Sequence, residues 1–175
     1  MPEDRSIGPP HVTDILRDAG LIDIEWFRAF DLDRGSALRK ATELLDLNDL
    51  DWSSVDPAIL GRLRSYQKFK DEVRPEILAI EEKVVNVTYH YQGKLDRRAR
   101  IKGRECIIDL KGPSEAAWNG VQLAAYAACF PRPLGRYNLY LSDERYRLVE
   151  RKERMDWEVF KAAITIAAWR QKHDR

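Results

Sequence analysis

The chain has 175 residues, 44% hydrophobic, 34% charged and 10% aromatic, with 30 Lys and Arg against 29 Asp and Glu. These proportions exclude a disordered or collagenous polymer, and at roughly 150 residues per domain the length predicts one domain over 1–175 that buries its own core. A net charge of +1 gives no global sign of a nucleic-acid binder, so any such role must rest on local asymmetry.

In chain order, Met1 to Pro10 is polar and lacks the apolar centre of a signal peptide. Val12, Ile15 and Leu16 follow at helical spacing, with Thr13 or Asp14 available as cap and Gly20 as the stop. A second helix is predicted from Ser36 to Leu45, with Leu38, Ala41, Leu44 and Leu45 on one side, before an acidic loop at Asp46 to Ser54. Asp56-Pro57 pairs a cap residue with proline at the first helical position, and Ile59, Leu60, Leu63 and Tyr66 continue the stripe towards Glu72.

After Pro75 the period changes. Ile77 to Val87, His90 to Ile101 and Glu105 to Lys111 read as strands, the last two joined at Gly103-Arg104. Ser114 is the expected cap of a long helix from Glu115 to Phe130, which Pro131 and Pro133 terminate. Tyr137 to Leu141 and Tyr146 to Glu150 form a predicted hairpin turning at Ser142-Asp143-Glu144. Asp156 then caps a last helix with Trp157, Phe160, Ile164, Ala167 and Ala168 on one face. The fold class is α/β (α+β): a central mixed sheet flanked by helices, with 1–75 mostly helical, 76–150 holding sheet and helix, and a C-terminal helix over 156–172. The longest apolar run, Leu123 to Phe130, is far too short for a bilayer, so a cytoplasmic protein without membrane contact is expected. Cys106 and Cys129 lie in apolar surroundings at no metal-like spacing and read as buried free thiols of a reducing compartment.

The chemistry concentrates between Glu81 and Tyr126. Alternation puts Asp109 and Lys111 on one face of a strand end, opposite Ile108 and Leu110. A carboxylate there can hold a divalent cation while the lysine positions a water or neutralises developing charge. Asp96 precedes Asp109 by thirteen residues, which lets adjacent antiparallel strands bring both carboxylates to one sheet end, and Glu81 can add an oxygen from the strand before. Carboxylates without histidine or thiolate suit Mg²⁺, with Mn²⁺ as substitute. Gly93 allows close backbone approach, and Gln122 and Tyr126 share one face of an otherwise apolar helix.

Taken in order, Glu81, Gly93-Lys94-Leu95-Asp96, Asp109-Leu110-Lys111 and Gln122-Leu123-Ala124-Ala125-Tyr126 resemble the PD-(D/E)xK nuclease superfamily, nearest its RecB-like and phage exonuclease branch. The resemblance implies a restriction-endonuclease-like core and a metal-dependent deoxyribonuclease, an exonuclease on linear double-stranded DNA in recombination, repair or phage DNA processing. It implies Asp96, Asp109 and the backbone carbonyl of Leu110 as metal ligands, with Glu81 as upstream acid and Glu82 as its fallback. Lys111 takes the place of the catalytic lysine, and Gln122 and Tyr126 support the site and the nearby strand. DNA is the implied partner, with a homo-oligomer and a single-strand annealing or recombination protein as further ones. An endonuclease on the same scaffold and a catalytically weak DNA-binding module are the alternative readings.

The sequence departs from this pattern at Arg39 in Arg34-Gly35-Ser36-Ala37-Leu38-Arg39, where the branch commonly carries histidine; the usual threonine after the lysine is also replaced, by Gly112-Pro113. Arginine cannot ligate a metal; it can bind a phosphate bidentately or stand as a solvated helix residue. Lys94, Arg97, Arg98, Arg100, Lys102 and Arg104 crowd into eleven residues. Period two sets Arg98, Arg100 and Lys102 on one side, as a phosphate-tracking patch beside the metal site or as a charged, solvated edge. Trp118, one helical turn before Gln122, is placed either to stack on a base or to pack in the core.

Overall fold

The computed structural model describes residues 8–22, 29–143 and 145–173, with the side chains of 29–33 and residue 144, in the predicted hairpin turn, outside that description. Local signals act where the chain carries them most strongly. The Asp56 side chain accepts a 2.8 Å hydrogen bond from the Ala58 N–H at the start of helix α3 (Pro57–Val73). Pro57 sits in the first turn, where its missing N–H leaves no donor unpaired. Gly20, at φ 81°, closes helix α1 (Val12–Asp18) and donates to the Arg17 carbonyl. The cap position of α1 is His11 rather than Thr13 or Asp14, and His11 makes no side-chain cap bond.

Five strands form one mixed sheet in sequence order: β1 (Glu76–Asn86), β2 (Tyr91–Ile101), β3 (Arg104–Lys111), β4 (Gly135–Leu141) and β5 (Tyr146–Glu150). All neighbours are antiparallel except β3 and β4, which run parallel because helix α4 (Trp118–Ala127) carries the chain between them. Helices α1, α4 and α5 (Met155–His173) pack on one another, with α1 and α4 reaching β2 and β3. Their core includes Leu16, Tyr91, Leu95, Ile107, Leu123 and Phe160. A second core, with Leu38, Leu63, Phe69, Ile108, Leu110 and Leu139, lies under α2 (Ala29–Asp46) and α3. Each fully buried side chain of this size is worth roughly 1.5–3 kcal/mol of transfer free energy.

Several predicted boundaries move. The second helix starts at Ala29, not Ser36, running through Gly35. Instead of Glu115–Phe130, the helix after β3 is Trp118–Ala127, so Ser114 does not cap it. The Asn119 side chain closes the preceding turn by accepting from the Ala116 N–H, and beyond Ala127 the Cys129 and Phe130 amides tighten onto the carbonyls three residues back. Asp156 lies inside the first turn of α5, whose leading Met155 amide donates to Glu153 instead. Ala168 is exposed and Ala163 takes the expected place on the buried face.

A charged network ties the second layer to the sheet. Arg97, on β2 and 1% exposed, donates from Nε to Asp46 Oδ2 of α2 at 2.6 Å, from Nη2 to Thr42, and from Nη1 to the Asp96 carbonyl. Tyr66 of α3 donates to the same Asp46 oxygen at 2.6 Å. Lys70 Nζ stands 2.9 Å from Asp46 Oδ1, but off the axis of a directed hydrogen bond, so that contact is Coulombic. Both cysteines are free; burial pushes Cys106 up to about 12 and Cys129 up to about 11, which keeps them as thiols. Among the described residues no helix is long and apolar enough to cross a membrane.

Candidate active site

Two irregularities in the first hairpin create the site. Glu81 has φ 51°, a left-handed conformation unusual for a residue with a side chain, and lies between the pairs Ile80 with Arg97 and Glu82 with Leu95. It therefore stands opposite Asp96. On β2, Leu95 belongs to the core under α1, α4 and α5, whereas Arg97, two residues on, reaches α2 and α3. Strict alternation would put both on one face, so the alternation breaks at Asp96. The β2–β3 ladder ends at Arg97 and Ile108, and beyond it the Leu110 N–H donates to Asp96 Oδ2 at 2.7 Å rather than to a strand carbonyl. The N–H and C=O of one strand residue point the same way, which directs the Leu110 carbonyl into the same gap.

Asp109 is 3% exposed, and its Oδ2 accepts from Asn138 of β4 at 2.9 Å and lies 3.0 Å from Lys111 Nζ. Burial drives its pKa upward; Lys111 opposes that shift, the charge of Asp96 adds to it, and Arg39 again opposes it. Lys111 Nζ also donates to Gln122 Oε1 at 2.8 Å, and Gln122 Nε2 donates to the Tyr126 hydroxyl at 3.1 Å. Five of the sequence-predicted residues, Asp96, Asp109, Lys111, Gln122 and Tyr126, thus form one cluster from two strands and a helix. Trp118 is half-buried at its edge, with Lys111 Nζ 4.8 Å from the ring centroid, and so packs against the lysine.

Gly93 explains how Tyr126 fits. A Cβ at this position would lie 2.5 Å from Tyr126 Cε1 and 3.4 Å from Val12 Cγ2. Gly93→Ala is expected to displace the ring from Gln122 and to cost about 1–3 kcal/mol by overpacking. Urea denaturation checks this, and an unchanged midpoint would contradict the account.

The two acidic residues of β1 take different partners. Glu82 pairs with Arg98 at 2.7 Å. Glu81 Oε2 lies 2.6 Å from Lys94 Nζ, while Glu81 Oε1 is buried without a partner. Arg39 of α2 reaches in from above and sets Nε 3.0 Å from Asp96 Oδ1. Its pKa is raised, chiefly by Asp96 against the opposing effect of burial, with Asp109 and Glu81 adding to the rise. Among the described residues no three His, Cys, Asp or Glu side chains are assembled to hold an ion, so Glu81 is close by but not a preformed third ligand. Asp96, Asp109 and the Leu110 carbonyl nonetheless offer an all-oxygen set, and the orphaned Glu81 oxygen is a further acceptor that a hard cation would satisfy. The donors present fit Mg²⁺ or Mn²⁺.

The basic strand does not form the expected patch beside these carboxylates. Arg98 is held by Glu82 and Glu105, and Arg100 pairs with Glu76 at 2.5 Å. Lys102, at φ 48°, belongs to the β2–β3 turn at the far end of the hairpin. Cross-strand carboxylates neutralise what one-dimensional spacing displays as free charge. A cavity of about 470 Å³ lined by Arg104, Glu105, Tyr137 and Glu150 also lies at that far end, away from Asp109 and Lys111.

Sequence reasoning missed the support behind Asp109. Asn138, fully buried, accepts at Oδ1 from Arg151 Nε at 2.8 Å. Arg151 also donates to Tyr140 and Glu115, and Tyr140 donates to Asn119 at the start of α4. The signal was an asparagine inside the apolar run Tyr137-Asn138-Leu139-Tyr140-Leu141, because a buried amide must find partners.

No protein-family model matches the chain, and no curated protein matches it. Among solved structures, one described as "Crystal structure of SSO0001" is similar over 94% of this chain and 75% of its own, at 19% identity and a TM-score of 0.46.

Proposed function

We propose that this protein is a metal-dependent deoxyribonuclease with a restriction-endonuclease-like core, acting from the ends of linear double-stranded DNA. One observation carries the reading: Asp96, Asp109 and Lys111 converge with Gln122 and Tyr126 although they come from β2, β3 and α4. The mixed sheet with its single parallel pair, β3 and β4, crossed by α4, is the frame on which such a core is built.

Asp96, Asp109 and the Leu110 carbonyl would hold Mg²⁺ or Mn²⁺, with Glu81 able to join once Lys94 moves. Bound there, the ion supplies Lewis acidity to the scissile phosphate. Lys111 is fixed by Asp109 and Gln122, so its ammonium is aimed before substrate arrives, to orient the attacking water and to neutralise charge building on the phosphate. Gln122 and Tyr126 hold that ammonium in register. Beside Lys111, Arg39 and Lys94, about half exposed and each on a site carboxylate, are further cations placed to meet the phosphate. The strand cations Arg98, Arg100 and Lys102 contribute less, being paired or distant.

Incubation with Mg²⁺ and two DNAs, one linear and 5′-phosphorylated, one covalently closed, tests this. Loss of the linear DNA alone, abolished by EDTA, is the expected result. Cutting of the circle would replace the exonuclease by an endonuclease. The Arg39–Asp96 pair favours a second reading, a DNA-binding module, which predicts gel-shift retention with neither DNA cut.

A further inference from the structure

Each carboxylate of the site already has a cation: Lys94 on Glu81, Lys111 on Asp109 and Arg39 on Asp96. A divalent ion entering this balanced set brings two further positive charges and must compete with one of the three. Lys111 is the least exposed of them and is bonded to Gln122 as well. Lys94 holds Glu81 rather than either aspartate. Arg39 differs from both, since its side chain is 47% exposed, comes from the helical layer and touches the oxygen of Asp96 that the Leu110 amide leaves open. Asp96 itself is buried, with its other oxygen fixed at 2.7 Å on that amide, so it cannot rotate to offer a fresh one.

We infer that Arg39 is a built-in competitor of the metal: its guanidinium occupies Asp96 Oδ1 in the metal-free protein and is displaced when a divalent ion binds. The inference rests on the nuclease reading of this site and adds a regulation to it. Released from Asp96, the same guanidinium is free to pair with a backbone phosphate, for which its planar fork is suited. A phosphate that draws Arg39 outward therefore favours metal entry, and metal entry favours the phosphate, because linkage between two binding events is reciprocal. Metal loading and DNA binding become coupled through one side chain.

The test is a Mn²⁺ titration of the nucleic-acid-free protein, read by calorimetry or by the loss of free-ion electron paramagnetic resonance signal. Arg39→Gln is expected to bind Mn²⁺ about tenfold more tightly than wild type, since it removes a competing like charge at close range. Lys40→Gln removes a neighbouring cation paired with Glu43 and is expected to leave the affinity unchanged. Arg39→Lys keeps the charge without the fork and falls between the two. Equal or weaker binding by Arg39→Gln overturns the competition and leaves the nuclease reading standing. So does an equal gain in Lys40→Gln, which would make the effect one of general charge. Failure of both wild type and Arg39→Gln to bind Mn²⁺, or binding that persists in Asp96→Asn, overturns the metal site itself. Arg39 is half exposed, and a thermal melt matching wild type verifies that the variants are folded.

Discussion

If the proposed nuclease reading holds, Lys111→Met is expected to lower Mg²⁺-dependent cleavage of linear DNA by about 10²–10³-fold, the usual loss when one preorganised donor to developing charge is removed. Methionine keeps most of the aliphatic stem packed near Trp118 and deletes only the ammonium. Gln122 and Asn138 still line the site, so the carboxylates keep their positions and gel-shift affinity for DNA changes little. The separation of the two readouts is the point of the experiment: rate falls, binding stays. A loss below tenfold would remove Lys111 from the chemistry and with it the main support for hydrolysis. Loss of binding in step with rate would instead make the lysine a phosphate contact.

Asp46→Ala is expected to cost about 3–5 kcal/mol of stability, the range for breaking a buried ion pair by removing one partner. Arg97 would then keep its charge at 1% exposure with neutral acceptors such as Thr42 and the Asp96 carbonyl, while Tyr66 and Lys70 would lose their shared carboxylate. The guanidinium is charged at any working pH, so the arginine cannot escape the penalty by losing its proton. Asp46→Leu combined with Arg97→Met removes both charges at once and should recover much of the loss. Urea denaturation with linear extrapolation measures each value; a cost under about 1 kcal/mol for Asp46→Ala would mean that water reaches this network. Because Arg97 also grips the carbonyl of Asp96, Asp46→Ala loosens the backbone beside a candidate metal ligand.

Much of this architecture is a local property of the chain. Asp56-Pro57 starts α3, Gly20 ends α1, and the change of period after Pro75 opens the sheet, because caps, turns and hydrophobic periods act within a few residues. Asp109 and Lys111 share a strand face, and Gln122 and Tyr126 a helical one, for the same reason. Where tertiary partners compete, local rules lose. Ser114 does not cap α4, since the turn at Ala116 is closed by Asn119, and Ala163 rather than Ala168 lies on the buried face of α5.

The composition and order of the elements, one mixed sheet between helices, and the residue types able to hold a hard cation were therefore determined by the sequence alone. Only the tertiary structure sets Glu81, rather than Glu82, opposite Asp96, because one left-handed residue shifts the alternation of β1 and no local pattern announces it. The same holds for the broken alternation at Asp96, the pairing of Arg97 with Asp46 fifty-one residues away, and the support of Asp109 by Asn138 twenty-nine residues on. It holds too for the basic strand, whose charges are spent on Glu76, Glu82 and Glu105 rather than presented beside the site. Periodicity fixes which way a side chain points. Its partner is fixed by strand register and layer packing, which join residues far apart in the chain.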